Sequence, residues 1–558
     1  MRFEFVHSLP RLVLLSVLAS CPCLALAQPE VPKWSTYEII LTAGGSSPNW
    51  YTDPNASVTT TFSGPGGVTK RVNGFWDGGK SFKVRFTPTV EGTWTYQTNS
   101  SDAGLTGATG KLTCVDPPAA KHGFLRRDAK HPYSFVWDDG TRYFMWGQTY
   151  YDVVISALSN DNWKEGVDKS LAYGMNKVRM HVYAQTFYRP KVEFNGYPDA
   201  QPFTGTSMDP NRDQLSIPYW RKLDEMVQYM ASKGMVADLI ITNPYWKNRM
   251  YGTDEQNDRF LKYVVSRYAA YTNVIWCVAN EWSASANYRG SHPQDHKDFD
   301  RMGGVVSAND PWKAEGEYLR PLSIHNTSPS IGFEFFDSTW PTYVANQYHN
   351  SRAVKTPNGD EWGNRGIAHN VKLARSLGRD MPLANDEYGY IGQTHPPLAV
   401  GVTMTRTMLR GAIWGIAAAG GYGSSGDMRL HPNGKGNPEI TGDWLDAPED
   451  YGDIKRMVDF FTTNHIEYWK MSSQNGLVTS GTRTYVLAET GRQYVIYTAV
   501  GGSFSLNLGA GSYNARRYDP RTGAEMSLGV VAGEVSRSFT MPDANDWVVL
   551  LTRVSSGA

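Results

Sequence analysis

The chain is 558 residues long and balances 54 Lys+Arg against 54 Asp+Glu, so it lacks the basic excess of a nucleic-acid or anionic-membrane binder. With 41% hydrophobic residues and no low-complexity tract it is not a disordered chain, and with four cysteines it is not a disulfide scaffold. The length exceeds what one core usually holds and predicts about two to four domains.

Residues 1–27 read as an export leader. Arg2 and Arg11 supply positive charge, Leu12 to Leu18 form an apolar run, and Ala25-Leu26-Ala27 is a small-x-small cleavage site, so the mature chain begins near Gln28. Leu18-Ala19-Ser20-Cys21 offers a second reading, a bacterial lipobox in which Cys21 carries a lipid anchor. Under either reading the protein is exported, to the periplasm or the cell exterior. No later run of about 18 apolar residues exists, so no integral membrane segment is expected. Beyond the leader only Cys114 and Cys277 remain, in different predicted domains, and they read as two buried thiols. No Cys/His cluster has ligand spacing, and neither a metal nor another cofactor is expected.

Residues 28–118 read as an N-terminal β-sandwich. Ser35 to Thr42, Val58 to Phe62, Ser81 to Phe86 and Gly92 to Thr98 are β-rich, and Lys83-Val84-Arg85-Phe86 alternates as a half-buried strand does. Gly64-Pro65-Gly66-Gly67 and Asp77-Gly78-Gly79 punctuate them as turns.

From 119 to 465 the period changes, and strand-like runs alternate with amphipathic helices. The apolar strands are Tyr143 to Trp146, Lys177 to Tyr183, Val236 to Thr242, Val274 to Ala279, Pro382 to Ala384 and Gly411 to Ala418; the helices include Tyr219 to Lys233, Glu255 to Tyr271 and Arg365 to Leu377. Repeated strand–helix units predict an α/β fold with a parallel sheet, and the length favours closure into a (β/α)8 TIM barrel over a doubly wound open sheet. Residues 466–558 return to short alternating strands, with a turn at Asp519-Pro520-Arg521-Thr522-Gly523, and predict a C-terminal β-sandwich. The first sandwich is expected to pack on the barrel and shape its mouth, the last to brace its outside.

Two carboxylates stand out by position. Glu281 follows Val274 to Ala279 and sits in Asn280-Glu281-Trp282; Glu387 follows Met381 to Ala384 and sits in Asn385-Asp386-Glu387-Tyr388. Strand ends of a parallel barrel gather on one face, where active sites form. The spacing of the two glutamates fits three strand–helix units and seats them after strands four and seven. Two carboxylates across such a mouth are what glycoside hydrolysis needs, one to protonate the leaving oxygen and one to attack the anomeric carbon or activate water. The alternative for either residue alone is an ordinary loop carboxylate paired with an arginine. Asn280 is placed to bond a substrate hydroxyl, and Trp282 and Tyr388 either pack the site or fill core.

These residues resemble the retaining (β/α)8 glycoside hydrolases. More narrowly the chain is similar to the apiosidase-like (DUF4038-type) hydrolases that carry a DUF5060-type β-sandwich in front. The residues that carry this are Trp34-Ser-Thr-Tyr-Glu-Ile, Asn73-Gly-Phe-Trp-Asp-Gly-Gly, Gly92-Thr-Trp-Thr-Tyr, His122-Gly-Phe-Leu-Arg and Phe144-Met-Trp-Gly-Gln-Thr, and Arg517-Tyr-Asp-Pro-Arg-Thr-Gly resembles the C-terminal sandwich labelled "collagen-binding" in such proteins. The resemblance implies Glu281 as acid/base, Glu387 as nucleophile, and a poly- or oligosaccharide substrate. Some apiosidase-like relatives pair an Asp with a Glu, so the mechanism transfers better than apiose specificity.

Other residues of the expected mouth follow from strand ends. Arg179 and His181 alternate in Val178-Arg179-Met180-His181, with Arg179 holding the nucleophile carboxylate or pairing a structural acid. Tyr348 and His349 end a predicted sixth strand, and the resemblance implies a bond from Tyr348 to Glu387. Trp146 and Tyr150 end the first strand as sugar-stacking candidates. Asp152 is a cap or a site acid, Asp386 braces the backbone, and Tyr422 and Asp427 lie in a Gly-rich loop after the eighth strand. The competing function is a non-catalytic carbohydrate- or matrix-binding protein on a barrel scaffold; intact Asn280-Glu281 and Glu387 argue against it.

Overall fold

A computed structural model of the chain describes residues 28–151, 153–159, 163–183, 201–206, 209–242, 251–283, 295–326, 332–347, 359–388, 405–427, 449–533 and 535–554. Tyr348, His349, Asp152 and the leader with Cys21 lie outside the described residues.

Eight parallel strands form the centre: β1 (Trp146–Thr149), β2 (Lys177–His181), β3 (Val236–Thr242), β4 (Val274–Ala279), β5 (Leu322–Ser323), β6 (Val344–Asn346), β7 (Leu383–Asn385) and β8 (Tyr422–Asp427). Neighbours in sequence are neighbours in space, β8 pairs with β1, and a parallel bridge between His325 and Ala345 joins β5 to β6. The sheet therefore closes into the expected barrel.

The outer helices are α1 (Val153–Ser159), α2 (Trp163–Ala172), α3 (Ile217–Ser232), α4 (Asp254–Tyr268), α5 (His296–Asn309), α6 (Gly359–Ser376), α7 (Arg406–Ala418) and α8 (Glu449–Thr463). Local chemistry starts them where it should. Thr253 and Asp295 each build a capping box at α4 and α5, satisfying amide N–H groups that the first turn leaves open. Two expectations fail here. Gly411 to Ala418 is not a strand but the second half of α7, buried on every side; an apolar run without period cannot be told from a buried strand. Tyr422–Asp427 is β8 itself rather than a loop behind it.

In the N-terminal sandwich a five-stranded sheet faces a three-stranded one, with Phe62 stacked on Phe86 at 3.8 Å in its core. Both Cys114 and Cys277 are buried free thiols. The sandwich docks on the barrel through charge. Arg85 reaches Asp224 of α3 at 2.5 Å, Arg267 of α4 binds Asp224 at 2.7 Å and Asp77 of the sandwich at 2.9 Å. Its loop also touches the β2–α3 connection, where the Asn49 amide donates to the Asp213 carbonyl at 2.5 Å. The C-terminal sandwich, a six-stranded and a three-stranded sheet, braces α7 and α8: Arg410 makes a bidentate pair with Asp546 (2.7 and 2.8 Å), and Trp414 stacks on Tyr497.

Candidate active site

Glu281 and Glu387 stand two residues beyond β4 and β7, on the carboxyl ends of the strands. Glu387 is buried, and its Oε2 accepts a hydrogen bond from the Tyr151 hydroxyl at 3.0 Å. Glu281 is half-buried and has a φ of +44°, the left-handed region in which a non-glycine residue costs about 1–2 kcal/mol. One guanidinium ties the two loops together. Arg179 Nη1 donates to the Asp386 carbonyl at 2.6 Å, and its Nη2 donates to Asn280 Oδ1 at 3.0 Å. It thus joins the residues that immediately precede the two glutamates.

Beneath this lies a charged floor. Lys177 Nζ is 2.6 Å from Asp386 Oδ1 and 3.5 Å from Asp238, and Arg179 Nε is 3.8 Å from Asp238. Ser424 donates to Asp386 at 2.9 Å. Two cations and two carboxylates balance in the closed lumen, as buried charges must. Burial pushes the Asp238 carboxyl up against the pull of Lys177. Burial also works on Asp386, but there Lys177 and Arg179 prevail and hold it down. The Asp386 carboxylate therefore ties β7 to β2 and β8 through the side chains of Lys177 and Ser424, rather than bracing the backbone. Gly147 is required by this floor, since a Cβ there would lie 2.8 Å from Ser424 Oγ and 2.9 Å from the Lys177 side chain.

Several sequence expectations change. Arg179 holds the backbone of Asp386 and the side chain of Asn280, and it also pairs with a structural acid, Asp238, one of the two roles the sequence left open. His181 does point into the mouth, with its ring stacked on Tyr151 at 4.8 Å. Tyr150 does not face the mouth: its hydroxyl bonds Ser170 at 2.8 Å, between the barrel and α2. Inward positions on this segment are Gly147, Thr149 and Tyr151, and one residue of slip turns a side chain to the other face. Trp146 begins β1 rather than ending it; it points outward, stacks on Phe144 and donates to Tyr388 at 3.3 Å, so neither ring stacks a sugar there. Tyr422 packs on Phe135 and Phe144 at the start of β8. Trp282 is 8% exposed, donates from Nε1 to Asn326 at 2.9 Å and packs edge-on to Phe299 and Phe335, anchoring the Glu281 loop as core.

Sequence reasoning missed Tyr151 and His325. The inward alternation set by Gly147 and Thr149 is the signal for the first. The second follows a strand only two residues long, which leaves too little pattern to read. Among the described residues no cluster of His, Cys, Asp and Glu could hold a metal ion, and no helix is long and apolar enough to cross a membrane.

Comparison with known families agrees with this architecture. Residues 130–460 match the model "Apiosidase-like, catalytic domain", residues 30–101 match a domain of unknown function, DUF5060, and residues 475–552 match "Putative collagen-binding domain of a collagenase". No curated protein matches the sequence. Among solved structures, a "putative glycoside hydrolase" from Bacteroides vulgatus superposes with a TM-score of 0.74 at 22% identity, over 94% of this chain and 100% of that one. A glycoside hydrolase family 5 structure from Bacteroides vulgatus gives 0.57 at 14% identity, over 78% and 94%. With the catalytic-domain match spanning more than half of its length, the chain belongs to the apiosidase-like family and is a glycoside hydrolase.

Proposed function

We propose that the protein is an exported, retaining glycosidase acting on O-glycosidic bonds of plant or microbial polysaccharide. Glu387 is the nucleophile and Glu281 the acid/base. In the first step a Glu387 oxygen attacks the anomeric carbon while the Glu281 carboxyl proton passes to the departing glycosidic oxygen. In the second, the Glu281 carboxylate takes a proton from water, the water oxygen attacks the anomeric carbon, and Glu387 leaves as carboxylate. Tyr151 steadies Glu387 through its 3.0 Å hydrogen bond. His181 and Asn280 line the same mouth and are the substrate-facing candidates.

The observation that supports this most is the seating of both glutamates just beyond β4 and β7, with Arg179 joining the residues before them. Export rests on the leader pattern of residues 1–27 and on its cleavage near Gln28, or on lipidation of Cys21. A screen of chromogenic glycosides and plant cell-wall fractions, followed by proton NMR of the first product formed, tests the reading. Retained anomeric configuration is expected; inversion would overturn the nucleophile assignment. Tyr151→Phe is expected to lower kcat/KM by about 10- to 100-fold, the weight of a hydrogen bond to a charged group, with Tm unchanged.

A further inference from the structure

Glu281 is held in an unusual backbone conformation, and among the described residues His325 takes part in the holding. In a regular parallel ladder, a residue's N–H and C=O bond to partners two positions apart on the neighbouring strand. His325 lies just beyond β5, and its N–H donates to the Ala279 carbonyl at 3.0 Å while its carbonyl accepts from the Trp282 N–H at 3.1 Å. Those partners are three positions apart. The chain therefore carries one extra residue at this point, a bulge at the end of β4, and Glu281 with its φ of +44° is in it. Bulges of this form usually place glycine in the left-handed position; a glutamate there needs compensation from its surroundings.

The imidazole supplies it. The Glu281 N–H, turned off the ladder by the bulge, donates to His325 Nδ1 at 3.3 Å. His325 is fully buried, and among the described residues its Nε2 has no hydrogen-bond partner. An Nδ1 that accepts requires the neutral tautomer with its proton on Nε2. The surroundings keep it neutral: burial works against the imidazolium first, Arg179 and Lys177 add to that, and Asp386 only partly opposes them. The clasp continues next door, where Asn326 accepts from the Trp282 indole at 2.9 Å.

Resting on the acid/base assignment of Glu281 above, we propose that His325 is a positioning residue for proton donation: its Nδ1 and backbone lock the bulge that aims the Glu281 carboxyl at the leaving-group oxygen. His325 does not touch the reacting atoms. Its loss should therefore harm the chemistry that needs a proton donor and spare the chemistry that does not.

The test uses two aryl glycosides of the sugar that the screen selects, one with a phenyl and one with a 2,4-dinitrophenyl leaving group. Phenolate needs protonation to depart, whereas dinitrophenolate does not. His325→Ala is expected to lower kcat/KM for the phenyl glycoside by about 10- to 100-fold and that for the dinitrophenyl glycoside by less than about 3-fold. His325→Asn, whose Oδ1 restores an acceptor, should recover most of the loss. Equal losses on both substrates, or none on the phenyl glycoside, would overturn the proposal. Glu281→Gln is the control that separates the two claims. If it shows the leaving-group split and His325→Ala does not, only the role of His325 falls; if it shows no split, the assignment of Glu281 falls and takes this inference with it. Nitrogen-15 NMR of histidine-labelled wild-type enzyme needs no substrate: at pH about 6 the His325 ring should be the neutral Nε2–H tautomer, and an imidazolium would contradict the clasp.

Discussion

Glu387→Gln is expected to lower kcat by about 10⁴-fold or more while the fold stays intact. The amide has nearly the shape of the carboxylate, and its oxygen can still accept from the Tyr151 hydroxyl. It cannot form the glycosyl ester, and both chemical steps are lost. Glu281→Gln removes the proton donor of the first step and the base of the second, and its loss in kcat/KM should grow as the leaving group becomes poorer. Near-wild-type rates in both variants would remove the catalytic reading altogether. The floor beneath gives a further contrast: Lys177, Asp238 and Asp386 are sealed in the lumen, so substitutions there should appear first as lost stability.

Asp224→Ala is expected to destabilise the protein by about 3–5 kcal/mol, the usual cost of removing one member of a buried ion cluster. Asp224 is 7% exposed and lies between two guanidiniums, Arg85 of the N-terminal sandwich and Arg267 of α4. Its removal leaves both positive charges buried with, among the described residues, only the carboxylates of Asp77 and the half-buried Glu38 to answer them. Burial raises the Asp224 carboxyl, but the two arginines outweigh it and hold it below the usual carboxylate range. A depressed folded-state value means the contribution is complete above the unfolded value of about 3.9 and fades as pH falls through the folded one. Urea unfolding of wild type and variant should therefore give a constant gap from neutral pH to about 4 and a narrowing gap below it. A gap under about 1 kcal/mol at neutral pH would show that the cluster does not hold the sandwich to the barrel.

How much of this was legible without coordinates depended on pattern length. β4 is six apolar residues ending at Asn280-Glu281, and the barrel seats that end at the mouth, so the first glutamate was readable. Glu387 was readable by the same logic from Met381 to Ala384. The inward face of β2 was readable, and a structural acid as partner of Arg179 was one of two readings; its bonds to Asn280 and the Asp386 carbonyl were not, because sequence shows the side a residue faces and not what arrives from another strand. The β1 segment failed by one position: Tyr150 and Tyr151 are chemically alike, and only the crowding at Gly147 fixes which of them turns inward. α7 reads as a strand in the sequence because Gly411 to Ala418 is buried all round and carries no period. His325 was invisible for a different reason. Its role arises from a bulge in a neighbouring strand, and a bulge is a property of two paired segments rather than of either sequence.

The most direct test of the central claim is covalent trapping with a 2-deoxy-2-fluoro glycoside carrying a dinitrophenyl leaving group, followed by peptide mass spectrometry. Fluorine beside the reacting carbon disfavours the oxocarbenium-like transition states of both steps, and the good leaving group restores the first, so the glycosyl-enzyme accumulates. The expected result is one sugar per chain, attached to the peptide that contains Glu387, with no label on Glu387→Gln. A label on a different carboxylate, or turnover to an inverted product with no label at all, would contradict the assignment of Glu387 and Glu281 as a retaining pair.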